Sequence, residues 1–70
     1  MHSARARTLQ YLSLLTEPGQ SVIEFDRPLK DVATDIGLTH EAFYRALAQL
    51  KREGYIEQRR RQIALIHPKL

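Results

Sequence analysis

The strongest structural signal in this sequence lies in residues 29–56, LKDVATDIGLTHEAFYRALAQLKREGYI. Apolar residues recur there at helical spacing on both sides of a short connection at residues 37–39. Gly37 ends the first helix because glycine readily adopts the left-handed conformation of a helix C-terminus, and the Thr39 hydroxyl can cap the second helix. The pattern predicts one helix that ends near Ile36 and another from about His40 to Glu53. Two helices joined by a tight turn form a helix-turn-helix arrangement.

The flanking segments predict one more helix and a small hairpin. Residues 4–16 place apolar side chains at helical spacing, namely Leu9, Tyr11, Leu12, Leu14 and Leu15,. Residues 21–25 are rich in β-forming residues and predict a short strand. After Gly54, two β-type runs surround a basic turn, which predicts a hairpin, or wing, over residues 55–66,. Pro18 and Pro68 are expected to end the first helix and the wing. The predicted fold class is α+β, a small winged helix-turn-helix of about three helices with a C-terminal β-hairpin wing.

Length and composition exclude several classes of protein. The chain has 70 residues and no cysteine, which leaves no room for a nucleotide-binding α/β sheet and no thiolate metal site,. His40 and Glu41 begin like the zinc-protease motif His-Glu-x-x-His, but Tyr44 replaces the second histidine,. We therefore expect neither an enzyme nor a metal or cofactor in this domain. No apolar run is long enough to span a membrane and no signal peptide is recognisable, so we expect a cytoplasmic protein without a membrane partner.

The basic charge is concentrated in the second part of the chain. The net charge is +3, but residues 1–26 carry −1 and residues 27–70 carry +4. The densest point is the run of three arginines at residues 59–61. Such a run is ordinarily a solvated turn. In a wing beside a recognition helix, contact with DNA phosphates is the better interpretation, since phosphate neutralisation supplies much of the affinity for DNA.

The third predicted helix has one apolar and one polar face. At about 100° per residue, the apolar face holds Phe43, Ala46, Leu47 and Leu50. The adjacent face carries polar residues in its first two turns and near its end, namely His40, Glu41, Tyr44, Arg45, Lys51 and Arg52. The ordinary interpretation of such a polar helix face is that it is exposed to solvent and binds nothing. The tight turn before the helix and the basic hairpin after it favour DNA, because recognition helices contact bases through their N-terminal residues.

The side chains at the start of this helix suit base recognition. Arginine can pair with guanine, and glutamate can accept a hydrogen bond from cytosine. Phosphates would repel Glu41 unless a base donates to it, and Arg45 lies four residues further on, where it can hold the carboxylate in place.

Residues 29–56 resemble the winged helix-turn-helix of the Crp-Fnr superfamily, which comprises relatives of the cyclic-AMP receptor protein and the fumarate-nitrate reductase regulator. The family pattern is matched at Ala33, Gly37, Thr39, Glu41, Arg45, Leu47, Leu50, Gly54 and Ile56. The pair of Glu41 and Arg45, four residues apart, is the most specific part of the match. Tyr44 stands where the family usually has a small residue, and Ala42 replaces a common threonine.

The resemblance implies a role for each matching residue. Glu41 and Arg45 would read a G·C pair in each half-site, and His40 occupies a position that the family varies. The expected base-reading residues are His40, Glu41, Tyr44 and Arg45. The expected contacts to the DNA backbone are Thr39, Lys51, Arg52, Arg59, Arg60 and Arg61.

The resemblance also implies partners. Family members carry an N-terminal sensor domain and a long dimerisation helix, so we expect residues 1–70 to be the DNA-binding domain excised from a longer regulator; a natural stand-alone protein is the alternative. The expected partners are a palindromic double-stranded operator, a second copy in the full-length homodimer, and RNA polymerase. Tyr11 and Leu14 lie beside the main apolar stripe and either complete this domain's core or pack on another domain.

Two other functions stay open from the sequence. The chain could be the winged helix of a different regulator family, which would also bind DNA. It could also use its winged helix for contact with a protein, although the charged face of the third helix argues against that function.

Overall fold

Three helices and three short strands make up the part of the chain that the computed structural model describes, residues 3–17 and 19–66. In chain order they are α1 (Ala4–Leu15), β1 (Val22–Glu24), α2 (Leu29–Ile36), α3 (His40–Arg52), β2 (Ile56–Arg59) and β3 (Gln62–Leu65). The α+β winged helix-turn-helix with its C-terminal hairpin is thereby confirmed. Pro18 and Pro68, to which the sequence assigned terminating roles, lie outside the described residues. Within residues 3–17 and 19–66, no helix is both long and apolar enough to cross a membrane.

The core is built around α3. Its four predicted apolar residues, Phe43, Ala46, Leu47 and Leu50, are all buried. They pack with buried side chains from every other element, namely Leu12, Ile23, Leu29, Val32, Ala33, Ile56, Ile63 and Leu65. The helix is therefore held from one side along its whole length, and its opposite face is left to the solvent.

The first helix covers one side of α3 with the face on which Leu9 and Leu12 lie, since Leu12 is buried and Leu9 packs against the core cluster. Ser3 caps it, since its hydroxyl accepts a hydrogen bond from the Ala6 amide at 3.1 Å. Leu12 and Thr8 are the buried residues of α1. Leu15 is 43% exposed and Leu14 is 76% exposed. Leu15, which shares the helical spacing of Leu9 and Leu12, is therefore not part of the core.

Tyr11 and Leu14, for which two interpretations stood open, separate in the structure. Tyr11 is partly buried and packs against the core cluster. Leu14 projects into the solvent. Tyr11 therefore completes the core of this domain, and Leu14 does not.

The sheet joins the wing to the segment between the first two helices. Its strand order is β1-β3-β2, and both pairings are antiparallel. Ile23 lies opposite Ile63 in the β1–β3 pair, and both side chains are buried. The predicted strand at residues 21–25 is thus confirmed, but its partner could not be read from the sequence. As a result, β3 is hydrogen-bonded on both sides.

The turn between α2 and α3 depends on a glycine. Gly37 has φ +82°, in the left-handed region, and the amide of Leu38 donates to the Ala33 carbonyl at 2.9 Å. The Arg7 guanidinium of α1 donates to the Ile36 carbonyl at the end of α2. A Cβ on Gly37 would lie 3.1 Å from the Arg7 Nη2 atom. Pro28 occupies the N-cap position of α2 without a side-chain cap hydrogen bond.

We expect Gly37→Ala to destabilise the domain by about 1–2 kcal/mol, because the left-handed conformation is costly for a residue with a Cβ. Thermal unfolding followed by circular dichroism measures the loss. Gly54→Ala is the matched control, since Gly54 also follows a helix at φ +83° but has no atom within 4 Å of its virtual Cβ. A larger loss for Gly37→Ala isolates the effect of displacing Arg7; equal losses would show that this contact contributes nothing.

An ion pair links the first turn of α1 to Glu53, the C-cap residue of α3. Arg5 Nε lies 2.7 Å from Glu53 Oε1, and the Arg5 guanidinium lies 5.2 Å from the centre of the Tyr55 ring. The hydrogen bond from Arg5 holds the pKa of the Glu53 carboxyl below its ordinary value. The pair thus connects α1 to the end of α3, three residues before the first strand of the wing.

This pair predicts a pH dependence of stability. Because the pKa of Glu53 is depressed in the folded state, its contribution is fully present above the unfolded pKa of about 4.3 and is lost as the pH falls through the folded value. We expect Glu53→Gln to lower the melting temperature at pH 7 and to converge with the unmodified chain at pH 3. Glu57→Gln is the control, because Glu57 forms no ion pair within the described residues. A constant difference between the two curves at all pH values would contradict this assignment.

Candidate nucleic-acid interface

The start of α3 is fixed by the turn that precedes it. The Thr39 hydroxyl accepts a hydrogen bond from the Ala42 amide at 3.0 Å, as predicted. This cap satisfies one of the amides that the first turn of a helix leaves unpaired. With only residues 37–39 between the helices, α2 holds the first turn of α3 close against the body of the domain. The side chains of that turn therefore project from a helix end that the cap and α2 hold in place.

Glu41 and Arg45 lie together on the exposed face of α3. Arg45 Nη2 is 3.2 Å from Glu41 Oε2, and their side chains are 73% and 83% exposed, respectively. An exposed pair at this spacing stabilises a helix by only about 0.3–0.5 kcal/mol. The two side chains are thus aligned with one another while both remain accessible to a ligand.

The wing presents its three arginines in two directions. Arg59 is the last residue of β2, where side chains alternate between the two faces of the sheet,. Ile56 is buried and Gln58 is half-buried, whereas Glu57 and Arg59 are exposed. Arg59 therefore shares its face with Glu57. The turn itself is formed by residues 60–61, and the Phe25 amide anchors it by donating to the Arg61 carbonyl at 2.8 Å.

A cleft separates α3 from the wing. Its lining residues come from the start of α2, from α3 and from the wing, and are Pro28, Leu29, Tyr44, Gln58, Arg60 and Arg61. Tyr44 is 42% exposed. Its ring meets the buried Phe43 ring edge to face, with centroids 5.4 Å apart. Tyr44 thus stands beside the wing arginines, on a part of α3 that is fixed by the core.

Comparison with known proteins decides the family. A family model described as the Crp-like helix-turn-helix domain matches residues 6–70. The chain is a member of this family. Membership implies DNA binding by a transcription regulator. No curated protein and no solved structure gave a significant match.

In this Crp-like domain, every residue predicted for base reading lies on the solvent side of α3. His40, Glu41, Tyr44 and Arg45 are all exposed. Lys51 and Arg52 are exposed in the last turn of α3, where positive charge also complements the negative end of the helix dipole. The structure brings Glu41 and Arg45 into contact and places Tyr44 in the cleft beside the wing.

The structure adds to this Crp-like surface two residues that the sequence did not single out. Gln58 and Pro28 line the same cleft as Tyr44. For Gln58 a signal existed, because strand alternation puts it on the same face as Ile56, toward the helices. For Pro28 no local signal existed, since its approach to the wing arises from tertiary packing between distant parts of the chain.

Proposed function

We propose that this chain is the DNA-binding output domain of a Crp-type transcription regulator, acting in the cytoplasm on double-stranded DNA. The recognition helix, residues 39–53, would enter the major groove, and the wing, residues 55–66, would lie along the backbone. The observation that carries this proposal is the aligned, exposed pair of Glu41 and Arg45 in the first half of a helix whose start Thr39 caps.

In this proposal the start of α3 reads base edges. The Arg45 guanidinium would donate two parallel hydrogen bonds to a guanine, and the Glu41 carboxylate would accept one from the amino group of a cytosine. The free pair already holds these two groups 3.2 Å apart. Complex formation would therefore exchange one weak ion pair for contacts with a single G·C pair, with little rearrangement of α3. His40, one residue before Glu41, would set the preference at a neighbouring base.

Contacts with the DNA backbone would surround the base-reading pair of Glu41 and Arg45. The Thr39 oxygen accepts from Ala42 and keeps its own hydrogen free to donate to a phosphate,. Exposed basic side chains flank it at the end of α3 and on the wing, namely Lys51, Arg52, Arg59, Arg60 and Arg61. These contacts would fix the register of the helix on the duplex without carrying sequence information.

We further propose that two such domains act on one palindromic operator, with half-sites about one helical turn, 34–36 Å, apart. A single domain should then bind weakly, since tethering in a dimer raises the effective concentration of the second copy. The full regulator would supply the dimer contact.

Selection of bound sequences from a pool of random duplexes tests this function. We would select with the unmodified chain and with Glu41→Ala, at moderate salt because phosphate contacts make affinity salt-dependent. The expected result is an enriched half-site with a G·C pair that becomes degenerate for Glu41→Ala. Gln49→Ala is a control on α3, because Gln49 is half-buried and lies near α1; it should select the same site.

Two results would contradict the proposal. Salt-sensitive binding without an enriched sequence would contradict the proposal that the start of α3 reads bases. Absence of binding at low salt would exclude DNA as the ligand and favour a winged helix that contacts a protein.

A further inference from the structure

The cleft between α3 and the wing has the composition of an anion site. Four of its six lining residues offer hydrogen-bond donors: the Tyr44 hydroxyl, the Gln58 amide and the guanidinium groups of Arg60 and Arg61,. Among the described residues that line it, none carries a carboxylate. Pro28 and Leu29 form the remaining, apolar wall. The cleft thus offers two positive charges and neutral donors to a ligand that accepts hydrogen bonds.

Two carboxylates that lie close along the chain to cleft residues, Glu57 beside Gln58 and Glu41 near Tyr44, are directed elsewhere. Glu57 is on the exposed face of β2 that it shares with Arg59, whereas Gln58 faces the opposite side,. Glu41, one helical turn before Tyr44, is engaged by Arg45 at 3.2 Å. The arginines of the cleft form no ion pair within the described residues. Their charges are available to an external anion.

Both sides of the cleft are held in place. On the α3 side, the Tyr44 ring rests edge to face on Phe43, which is fully buried. On the wing side, the Phe25 amide holds the Arg61 carbonyl at 2.8 Å. The backbone that carries these donors is thus in place before a ligand binds, which favours recognition of one fixed group over diffuse attraction.

We propose that Tyr44, Arg60 and Arg61 form a binding site for one phosphodiester of duplex DNA, in which the Tyr44 hydroxyl and a wing guanidinium donate to the same phosphate. This inference rests on the proposed function and changes the role of one residue. Tyr44 becomes a backbone contact that fixes how deeply α3 enters the groove, in place of a base reader. Arg59, on the other face of β2, lies outside the site.

The first test compares two duplexes of equal length, one with the selected half-site and one with a shuffled sequence. Tyr44→Phe keeps the ring and its contact with Phe43 and removes only the hydroxyl. We expect it to weaken binding to both duplexes by the same factor, about 3- to 10-fold, the effect of one hydrogen bond to a charged group in a partly exposed site. Arg45→Ala should instead weaken binding to the selected duplex more than to the shuffled one.

The wing arginines are tested by the salt dependence of binding. Arg60→Ala and Arg61→Ala should each lower the slope of log affinity against log salt by about one phosphate contact. Arg59→Ala, matched in charge, should lose its contact at a phosphate outside this site. A duplex series with one neutral methylphosphonate at each position then identifies the phosphate. At one position, the unmodified chain should lose affinity while Tyr44→Phe and the Arg60 or Arg61 variant lose less, because they lack the contact already.

The outcomes separate this site from the proposed function. If the unmodified chain binds neither duplex, the proposed function and this site both fail. If it binds and Tyr44→Phe loses affinity only for the selected duplex, Tyr44 reads a base and the phosphate site is wrong. If it binds and Tyr44→Phe matches it on both duplexes, the site is also wrong, while the proposed function stands.

Discussion

We expect Phe43→Ala to leave the domain largely unfolded at 37 °C. Phe43 has no exposed surface and lies in the core cluster beneath the exposed face of α3. Truncation of a buried phenylalanine costs about 3–5 kcal/mol, through lost apolar burial and the cavity that remains. A domain of this length is stable by roughly 4–10 kcal/mol, so one substitution removes a large part of the total.

Circular dichroism at 222 nm and thermal unfolding measure this effect. Leu14→Ala removes a similar apolar side chain from the solvent side of α1 and should change stability by no more than about 0.5 kcal/mol. A cooperative transition of Phe43→Ala near the melting temperature of the unmodified chain would mean that α3 does not carry the core.

The largest effect on recognition is expected for Arg45→Ala. Loss of a bidentate contact with guanine should reduce discrimination at one base pair by about 1–3 kcal/mol, or roughly 5- to 150-fold. The substitution also releases Glu41, which would then face the phosphates without its partner. Competition between the selected duplex and duplexes with each single base change measures the discrimination directly.

Arg45→Lys distinguishes the effect of the shape of the guanidinium group from the effect of its charge. Lysine keeps the positive charge but presents a single ammonium group in place of the planar fork of donors. We expect it to retain the affinity for shuffled DNA and to lose much of the preference for the G·C pair. If both variants weaken binding equally on all sequences, Arg45 contacts a phosphate and the base-reading role is wrong.

The arrangement of α3 could be predicted because local signals agreed with one another. Four apolar residues repeat at helical spacing between Phe43 and Leu50, in a helix of thirteen residues, and Thr39 and Gly54 mark its two ends. Burial of one face then follows from periodicity alone. The side chains expected at the interface are exposed for the same reason, since they fill the remaining face.

The first helix shows the limit of periodicity. Apolar residues are spread around α1, so the sequence favoured Leu15 as a core residue although it lies outside. Thr8 is buried instead, and its hydroxyl has no hydrogen-bond partner within the described residues. Only the direction from which α3 approaches decides which face of α1 is covered.

The sheet and the cleft depend on contacts between distant parts of the chain. The pairing of Ile23 with Ile63 joins segments forty residues apart, and no local pattern encodes such a partner. The hairpin turn at residues 60–61 also lacks the glycine or asparagine that marks most two-residue turns,. The sequence therefore shows the three arginines as one basic cluster. In the structure Arg59 is the last residue of β2, whereas Arg60 and Arg61 form the turn.

The position of β3 between two strands has a thermodynamic consequence. A hairpin that becomes ordered only when its ligand arrives loses conformational entropy at that moment, and its binding shows the large negative heat-capacity change of coupled folding. Here the hairpin is already part of a three-stranded sheet, and its turn is anchored to the residue that follows β1. Association with DNA would then need no folding of the wing backbone, and its heat-capacity change should lack the large negative contribution of coupled folding.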